Sequence, residues 1–378
     1  MTHGPRVLIL GAGLIGAGLA YELTARGAKV SVIEAGLPAG MASGRSFGWI
    51  NASFSLSQAH FQARYAAMAG HHSWQRGVAK GLYRWQGCLW WEKAGQDFDR
   101  TAKDLAQLGY PLQEVDRSKF MQIEPDVVHP PERALLFKAE GAADGTALTQ
   151  ALLRAACEAG AGLWLGCKVE GLTISAGRIV AVETPAGRVA ADHVILATGA
   201  ATPALLAPLG LKFAMQHRPG AIVHSLPMPL RLRHILAAPD QEIRQDVRGC
   251  ILAPGAAGHQ TDASTAHGAP DLMVRDTLAR LSAILGQPVR LQSLRLADRP
   301  VPGDGLPAVG QVPGIAGLHM AVLHSGVTLA PLVCGSLADQ VVGGPAAAAM
   351  ADFAPARLFT QSQERVAVDS IQMNRPGF

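Results

Sequence analysis

The sequence predicts a mixed α/β (α+β) fold, in which a parallel-sheet domain is interleaved along the chain with a second domain of antiparallel strands. Three observations carry that expectation. Residues 7–36, VLILGAGLIGAGLAYELTARGAKVSVIEAG, run from a short apolar strand through a glycine loop and a helix to a second strand. Such a βαβ unit implies a parallel sheet. The same style returns after residue 141 and again after residue 298. Between these stretches lie two segments of another kind. Residues 51–140 hold four of the six tryptophans, and residues 214–297 read as alternating strands with one amphipathic helix. The first domain is therefore expected to comprise 1–50, 141–213 and 298–378, and the second 51–140 and 214–297.

Each element follows from local pattern. Arg6–Leu10 is a short apolar run ended by glycine, the mark of a buried strand. Leu14–Ala25 reads as a helix stopped by Gly27, and Lys29–Glu34 as the next strand. Helices are expected near 57–69 and 99–108, and over Leu148–Ala159 with Gly160 at its end. Lys168–Ile174 and Arg178–Thr184 pair as a hairpin about Ala176 and Gly177. His193–Ala197 is a short strand, Asp271–Leu285 an amphipathic helix closed by Gly286, and His319–Leu323 another strand. A last helix spans about 328–342. It places Pro331 in its first turn, where a missing N–H costs little. Ala346–Ala349 reads as a linker, and no internal repeat is present.

Composition narrows the function. A chain of 378 residues, at ~150 per domain, suggests two domains or one large one. With 49% hydrophobic and 16% charged residues it buries a sizeable core and is not disordered. Lys and Arg number 33 against 29 Asp and Glu, an evenly spread +4 that argues against nucleic acid. Five cysteines without C-x-x-C spacing argue against a disulfide framework or a zinc site and read as reduced core thiols. MTHGPR leads straight into VLIL with no charged leader and apolar core, so the expected location is cytoplasmic. The uncharged run Val7–Tyr21 is too short for a membrane span, which needs ~20 residues. Adjacent His71 and His72 on a helix point about 100° apart without partner ligands. They are expected on an exposed face, and no metal is expected.

Gly11-Ala12-Gly13-Leu14-Ile15-Gly16 fits the G-x-G-x-x-G of a Rossmann-like dinucleotide site. Gly11 allows the tight turn, Gly13 lets backbone approach a pyrophosphate, and Gly16 lets helix and strand pack closely. The helix N-terminus adds free N–H groups and partial positive charge. Glu34, followed by Ala35, ends the second strand 18 residues after Gly16. An acid there accepts from ribose hydroxyls and favours an unphosphorylated ribose, as in NAD or FAD. The loop alone leaves those two open.

The rest of the chain resembles the flavoproteins that include D-amino acid oxidase, glycine oxidase and sarcosine oxidase. Met41–Asn51, MASGRSFGWIN, is similar to that family's small-residue loop before the flavin. Gly87-Cys-Leu-Trp-Trp91 resembles its GxLxx strand, and Gly141–Thr146 its GxxDxxxL helix entry. Val194–Ala200, VILATGA, resembles the strand and turn of the FAD domain. Asp298–Pro307 is similar to LRPxxPDGxP, His324–Pro331 to GHxxxGxxLAP, and Pro355–Phe359 to PxRF. The resemblance implies FAD, with Gly11–Gly16 at the pyrophosphate and Glu34 at the ribose. It implies cofactor contacts from Ser43, Gly44, Arg45 and Ser46, from Val169 by backbone pairing with adenine, and from Ala197 and Gly199. It places Ser325, Gly326, Val327 and Thr328 at a helix N-terminus facing the flavin N1–C2=O edge, where reduced flavin gains negative charge. No cysteine lies between 251 and 333, where sarcosine oxidases attach flavin, so non-covalent FAD is expected.

At the substrate end, Arg299 falls where the family carries the arginine that binds a substrate carboxylate, and a guanidinium offers a bidentate fork for it. His324 is left open between contact with an amine or hydroxyl and orientation of its loop. Arg45 is left open between cofactor contact and structure, and Trp49 and Ile50 are weak candidates for a flavin wall. The implied reaction is oxidation of the C–N bond of an amino acid or N-alkyl amino acid, from amine to imine by hydride transfer to flavin N5. O2 or another electron acceptor then takes the electrons, and a homo-oligomer or a partner subunit remains open. Two other readings stand beside it: an NAD-dependent dehydrogenase using the first loop alone, and a non-catalytic FAD-carrying subunit of an amine dehydrogenase complex.

Overall fold

A computed structural model describes residues 4–255 and 270–360. Residues 256–269 of the expected second domain and 361–378 of the expected first domain lie outside the described residues.

The opening unit has the bounds the sequence predicts: β1 (Arg6–Leu10), α1 (Leu14–Ala25) and β2 (Lys29–Glu34). β1 lies between β2 and His193–Leu196, parallel to both. Gly162–Leu165 extends the sheet beyond β2, and Leu318–Val322 extends it on the other side, both in parallel. Ala308–Gln311 closes that edge antiparallel. Val7 and Ile9 enter one apolar cluster, Leu8 and Leu10 another. Successive side chains face opposite sides of a sheet, so a strand covered on both faces must be apolar throughout. α1 is buried nearly all round because it packs against both Gly145–Glu158 and the C-terminal helix Gly326–Val341.

A second, eight-stranded sheet runs in the order 291–298, 219–227, 250–254, 241–245, 235–238, 88–90, 133–137, 113–116. Neighbours are antiparallel except Ile235–Ala238 beside Cys88–Trp90. One face packs Leu89, Leu236, Ile243 and Ile251 with Leu281 and Leu285 of the helix Pro270–Leu285. Register puts Arg244 opposite Leu252, Leu252 opposite His224, and Ile222 opposite Arg295. With a period of two, these residues and Glu242 share the other face.

Two elements position the candidate site. β3 (Trp49–Ile50) pairs with Gly141–Ala143. α2 (Gln58–Arg76) starts on Ser57, whose hydroxyl accepts from His60 N at 3.1 Å, and runs a further turn and more past the predicted end. Phe61, Arg64, Ala67, Met68, His71 and Trp74 are buried along it, at helical spacing, where α2 packs on the C-terminal helix.

Several expectations are corrected. His71 is fully buried on that stripe, and only His72 is exposed. The C-terminal helix begins at Gly326, so Pro331 lies inside it rather than in its first turn. Of the expected linker Ala346–Ala349, Ala348 and Ala349 open a 3-10 segment, Ala348–Phe353, whose Met350 and Phe353 are buried. Cys88, Cys250 and Cys334 are core thiols, whereas Cys157 is exposed and Cys167 half-buried. Among the described residues, no helix is long and apolar enough to cross a membrane.

Candidate functional site

The glycine loop lies at the C-terminal end of β1. Gly11 has φ +103°, and a Cβ there would stand 2.6 Å from the Ala197 carbonyl oxygen. A Cβ on Gly16 would stand 1.9 Å from the Gly11 carbonyl oxygen. Both positions admit only glycine, for the turn and the close packing the motif requires. Gly13 precedes α1 without a side-chain cap, so of the first-turn N–H groups only that of Leu14 has a side-chain acceptor and those after it face the loop's open end. Ser43 Oγ accepts from Leu14 N at 2.9 Å, which brings the loop of Ser43, Gly44, Arg45 and Ser46 beside that helix start. The Glu34 carboxylate accepts from Ala12 N at 2.7 Å and from Gly36 N at 2.7 Å. Each oxygen keeps a lone pair for a hydroxyl.

Other cofactor candidates gather at the same end of the sheet. Ala197 N donates to Leu10 O, and Gly199, with φ +55°, lies against Pro300. Cys167 N donates to Glu34 O and leads half-buried Val169 past the end of β2. Ala35 is exposed there, and Ser46 Oγ accepts from Gly48 N at 3.0 Å. Arg45 is exposed, and its guanidinium donates to Leu296 O at 2.6 Å. Arg295 returns a bond to Gly44 O at 3.1 Å, so this loop is tied to the eight-stranded sheet.

A buried polar network lies between α2, the chain after β3 and the C-terminal helix. Arg64 donates through Nε to Asn51 O at 3.1 Å, through one terminal nitrogen to Asn51 Oδ1, and through the other to Ser325 Oγ at 2.5 Å. Thr328 Oγ1 accepts from Asn51 N and donates to Trp49 O. Ser325 has φ +57° and makes no side-chain cap to the helix it precedes. His324 Nδ1 lies 3.4 Å from Ser325 Oγ. Nearby, the buried Glu140 carboxylate accepts from Trp49 Nε1, Ser53 Oγ and Tyr110 OH at 2.6–2.8 Å. Burial pushes it up to about 7, against the pull of these donors and of Arg64. Burial likewise lowers the Arg64 guanidinium to about 10, which leaves it charged at neutral pH.

Arg299 is half-buried and lies against Gly220, where a Cβ would stand 2.6 Å from its Nε. Burial lowers its guanidinium, Glu242 opposes that, and Arg218 adds to it. A cavity of about 230 Å³ is lined by Arg299, Arg218, His217 and Gln216. A second cavity, about 440 Å³ and lined in part by Arg6 and Lys29, opens at the opposite end of the parallel sheet, away from the glycine loop.

The sequence reading missed Arg64, Glu140, Tyr110 and Glu242. Arg64 had a legible signal: it occupies a position of the apolar α2 stripe three residues after Phe61 and four before Met68. Glu140 and Tyr110 carry no local signal, because the partners that define them lie 30 to 91 residues away.

A Rossmann-like loop joined to a large antiparallel sheet, with a second uncapped helix N-terminus behind it, defines a dinucleotide-dependent protein of the two-sheet flavoprotein kind. The family model "FAD dependent oxidoreductase" (DAO) matches residues 6–340, and the chain belongs to that family. It is 27% identical over 371 residues to the glycine oxidase of Geobacillus kaustophilus, covering 90% of this chain and 94% of that protein. It is 28% identical to a D-amino acid dehydrogenase of Cereibacter sphaeroides over 69% of this chain and 62% of that one. The L-amino acid deaminase of Proteus myxofaciens, solved with anthranilate, superposes with a TM-score of 0.84 at 18% identity over 94% of each chain. The cofactor is FAD, not NAD on the first loop alone. The uncapped start of α1 and the free lone pairs of Glu34 fit its pyrophosphate and ribose.

Proposed function

We propose that this protein oxidises the C–N bond of an amino acid or N-alkyl amino acid to the imine. The observation that carries the reading is Arg299: a half-buried side chain that lines a cavity and is pressed on Gly220 of the eight-stranded sheet. The similarity to proteins named for amino acid substrates supports it. When bound, FAD supplies the two-electron acceptor, and the chain supplies binding, orientation and electrostatics. Arg299 holds the substrate carboxylate with its fork, which fixes the α C–H bond at one place and angle. Glu242, of opposite charge, offsets the burial of the guanidinium. His324, on the loop before the C-terminal helix, acts through Ser325. No Ser-His-Asp or Cys-His constellation is needed, because the residues only position reactants.

The cofactor residues in this reading are Gly11–Gly16, Glu34, Ala35, Ser43–Ser46, Val169, Ala197, Gly199 and Ser325–Thr328. Within that set, Arg45 also ties the loop to the eight-stranded sheet through Leu296 O. The division into a cofactor domain of 1–50, 141–213 and 298–378 and a substrate domain of 51–140 and 214–297 belongs to the same proposal. It is supported by strands of both substrate segments meeting in one sheet. Cysteines free of disulfides support a reducing, cytoplasmic setting. Anaerobic addition of amino and N-alkylamino acids tests the proposal through loss of the flavin's visible absorption. Bleaching by at least one of them is expected. A flavin that none reduces returns the chain to the non-catalytic, FAD-carrying reading.

A further inference from the structure

We infer that Arg64 is a positioning residue for the flavin, holding the turn before the C-terminal helix open to the cofactor and adding its charge behind it. The usual fate of a serine before a helix is to accept a hydrogen bond from the second or third helical N–H. Ser325 does not: its backbone is left-handed and its hydroxyl is engaged by Arg64 at 2.5 Å. The first-turn N–H groups of the C-terminal helix are thereby left without their side-chain acceptor. The space outside is open, since a Cβ built on Gly326 meets nothing within 4 Å.

The left-handed backbone of a non-glycine residue persists only where surroundings impose it. Here the imposing group is one guanidinium whose other two arms grip Asn51, the residue after β3. Arg64 thus couples three segments far apart in the chain, α2, the end of the small-residue loop and the start of the C-terminal helix. Its burial matters as well. A guanidinium 3% exposed acts through little water, so its field adds to that of the helix N-terminus at short range. Negative charge that arrives with electrons on a flavin at this helix is stabilised by both, whereas oxidised flavin gains less. Glu140, held by three donors of its own, offsets part of that field without touching the turn.

The inference rests on the cofactor and on no substrate, so it is tested without one. FAD-loaded wild type, R64K and R64Q are compared by dye-coupled reductive titration and by FAD dissociation from reconstituted apoprotein. In R64Q, the two-electron equilibrium is expected to shift at least tenfold towards oxidised flavin, about 30 mV. In R64K the charge persists, so the potential stays within about threefold of wild type. An ammonium cannot grip Asn51 and Ser325 together, however, and FAD is expected to dissociate at least tenfold more readily. An R64Q potential within twofold of wild type overturns the electrostatic role. If R64Q does not fold, R64K decides: wild-type FAD affinity in it overturns the positioning role. Either failure leaves the amine reading standing, because substrate bleaching is measured separately.

Discussion

His71 Nε2 donates to the carbonyl oxygen of Val327 at 2.9 Å, an acceptor that Pro331 is unable to serve. In an uninterrupted helix, the N–H of residue 331 would bond that carbonyl. Proline has none, and Val327 is buried, so its carbonyl would be left without a donor. His71 also lies 3.0 Å from Thr328 O, and its Nδ1 accepts from Tyr83 OH at 3.1 Å, which fixes the neutral Nε2–H form. Gly70 completes the fit, since a Cβ there would stand 2.6 Å from Pro331 Cβ. A Gly-His pair on α2 is therefore matched to a proline in the C-terminal helix.

This relationship predicts non-additivity. H71L leaves Val327 O unsatisfied and is expected to destabilise by about 1–3 kcal/mol. P331A restores an N–H and is expected to relieve that loss, giving a coupling of about 1–2 kcal/mol in a double-mutant cycle. Denaturant unfolding of the four proteins checks it, and additive effects would contradict the pairing.

Glu140 predicts an unusual pH dependence. Burial raises it from 4.5 to about 7, so the fold favours the protonated form. Its contribution is fully present below about pH 4.5 and is lost as pH rises to about 7. The Tm of wild type relative to E140Q is expected to fall across that window and level off above it. Parallel Tm curves for the two proteins would show that Glu140 does not titrate there.

The glycine loop predicts a steric failure. In G16A the new methyl meets the Gly11 carbonyl, and the loop must open. A cost of about 1–3 kcal/mol is expected, as for overpacking elsewhere, together with loss of bound FAD. A G16A protein purified with full flavin content would contradict the proposed placement of the pyrophosphate.

What the sequence made legible is what local pattern determines. β1, α1 and β2 fall on their predicted residues because a glycine or an acid ends each run. The hairpin about Ala176 and Gly177 follows from left-handed turn residues, with φ of +48° and +71°. Asp144, inside a motif that resembled a helix entry, does cap the helix Gly145–Glu158. What was not legible depends on distant partners. His71 looks like an exposed polar residue until a carbonyl 256 positions away is seen to need it. Pro331 looks harmless only if the helix starts two residues later than it does. Arg64 stood in an apolar stripe, a signal of buried function, but its partners Asn51 and Ser325 become visible only in the fold.

The central claim, that a carboxylate-bearing amine is oxidised with Arg299 holding its acid group, is tested most directly by anaerobic flavin bleaching in wild type and R299A. The wild type is predicted to be reduced by at least one amino or N-alkylamino acid. R299A is predicted to need roughly 30–150-fold more of it, corresponding to about 2–3 kcal/mol for a lost charge-assisted pair. Dithionite should reduce both proteins alike. Equal bleaching of the two proteins by the same amino acid would contradict the account.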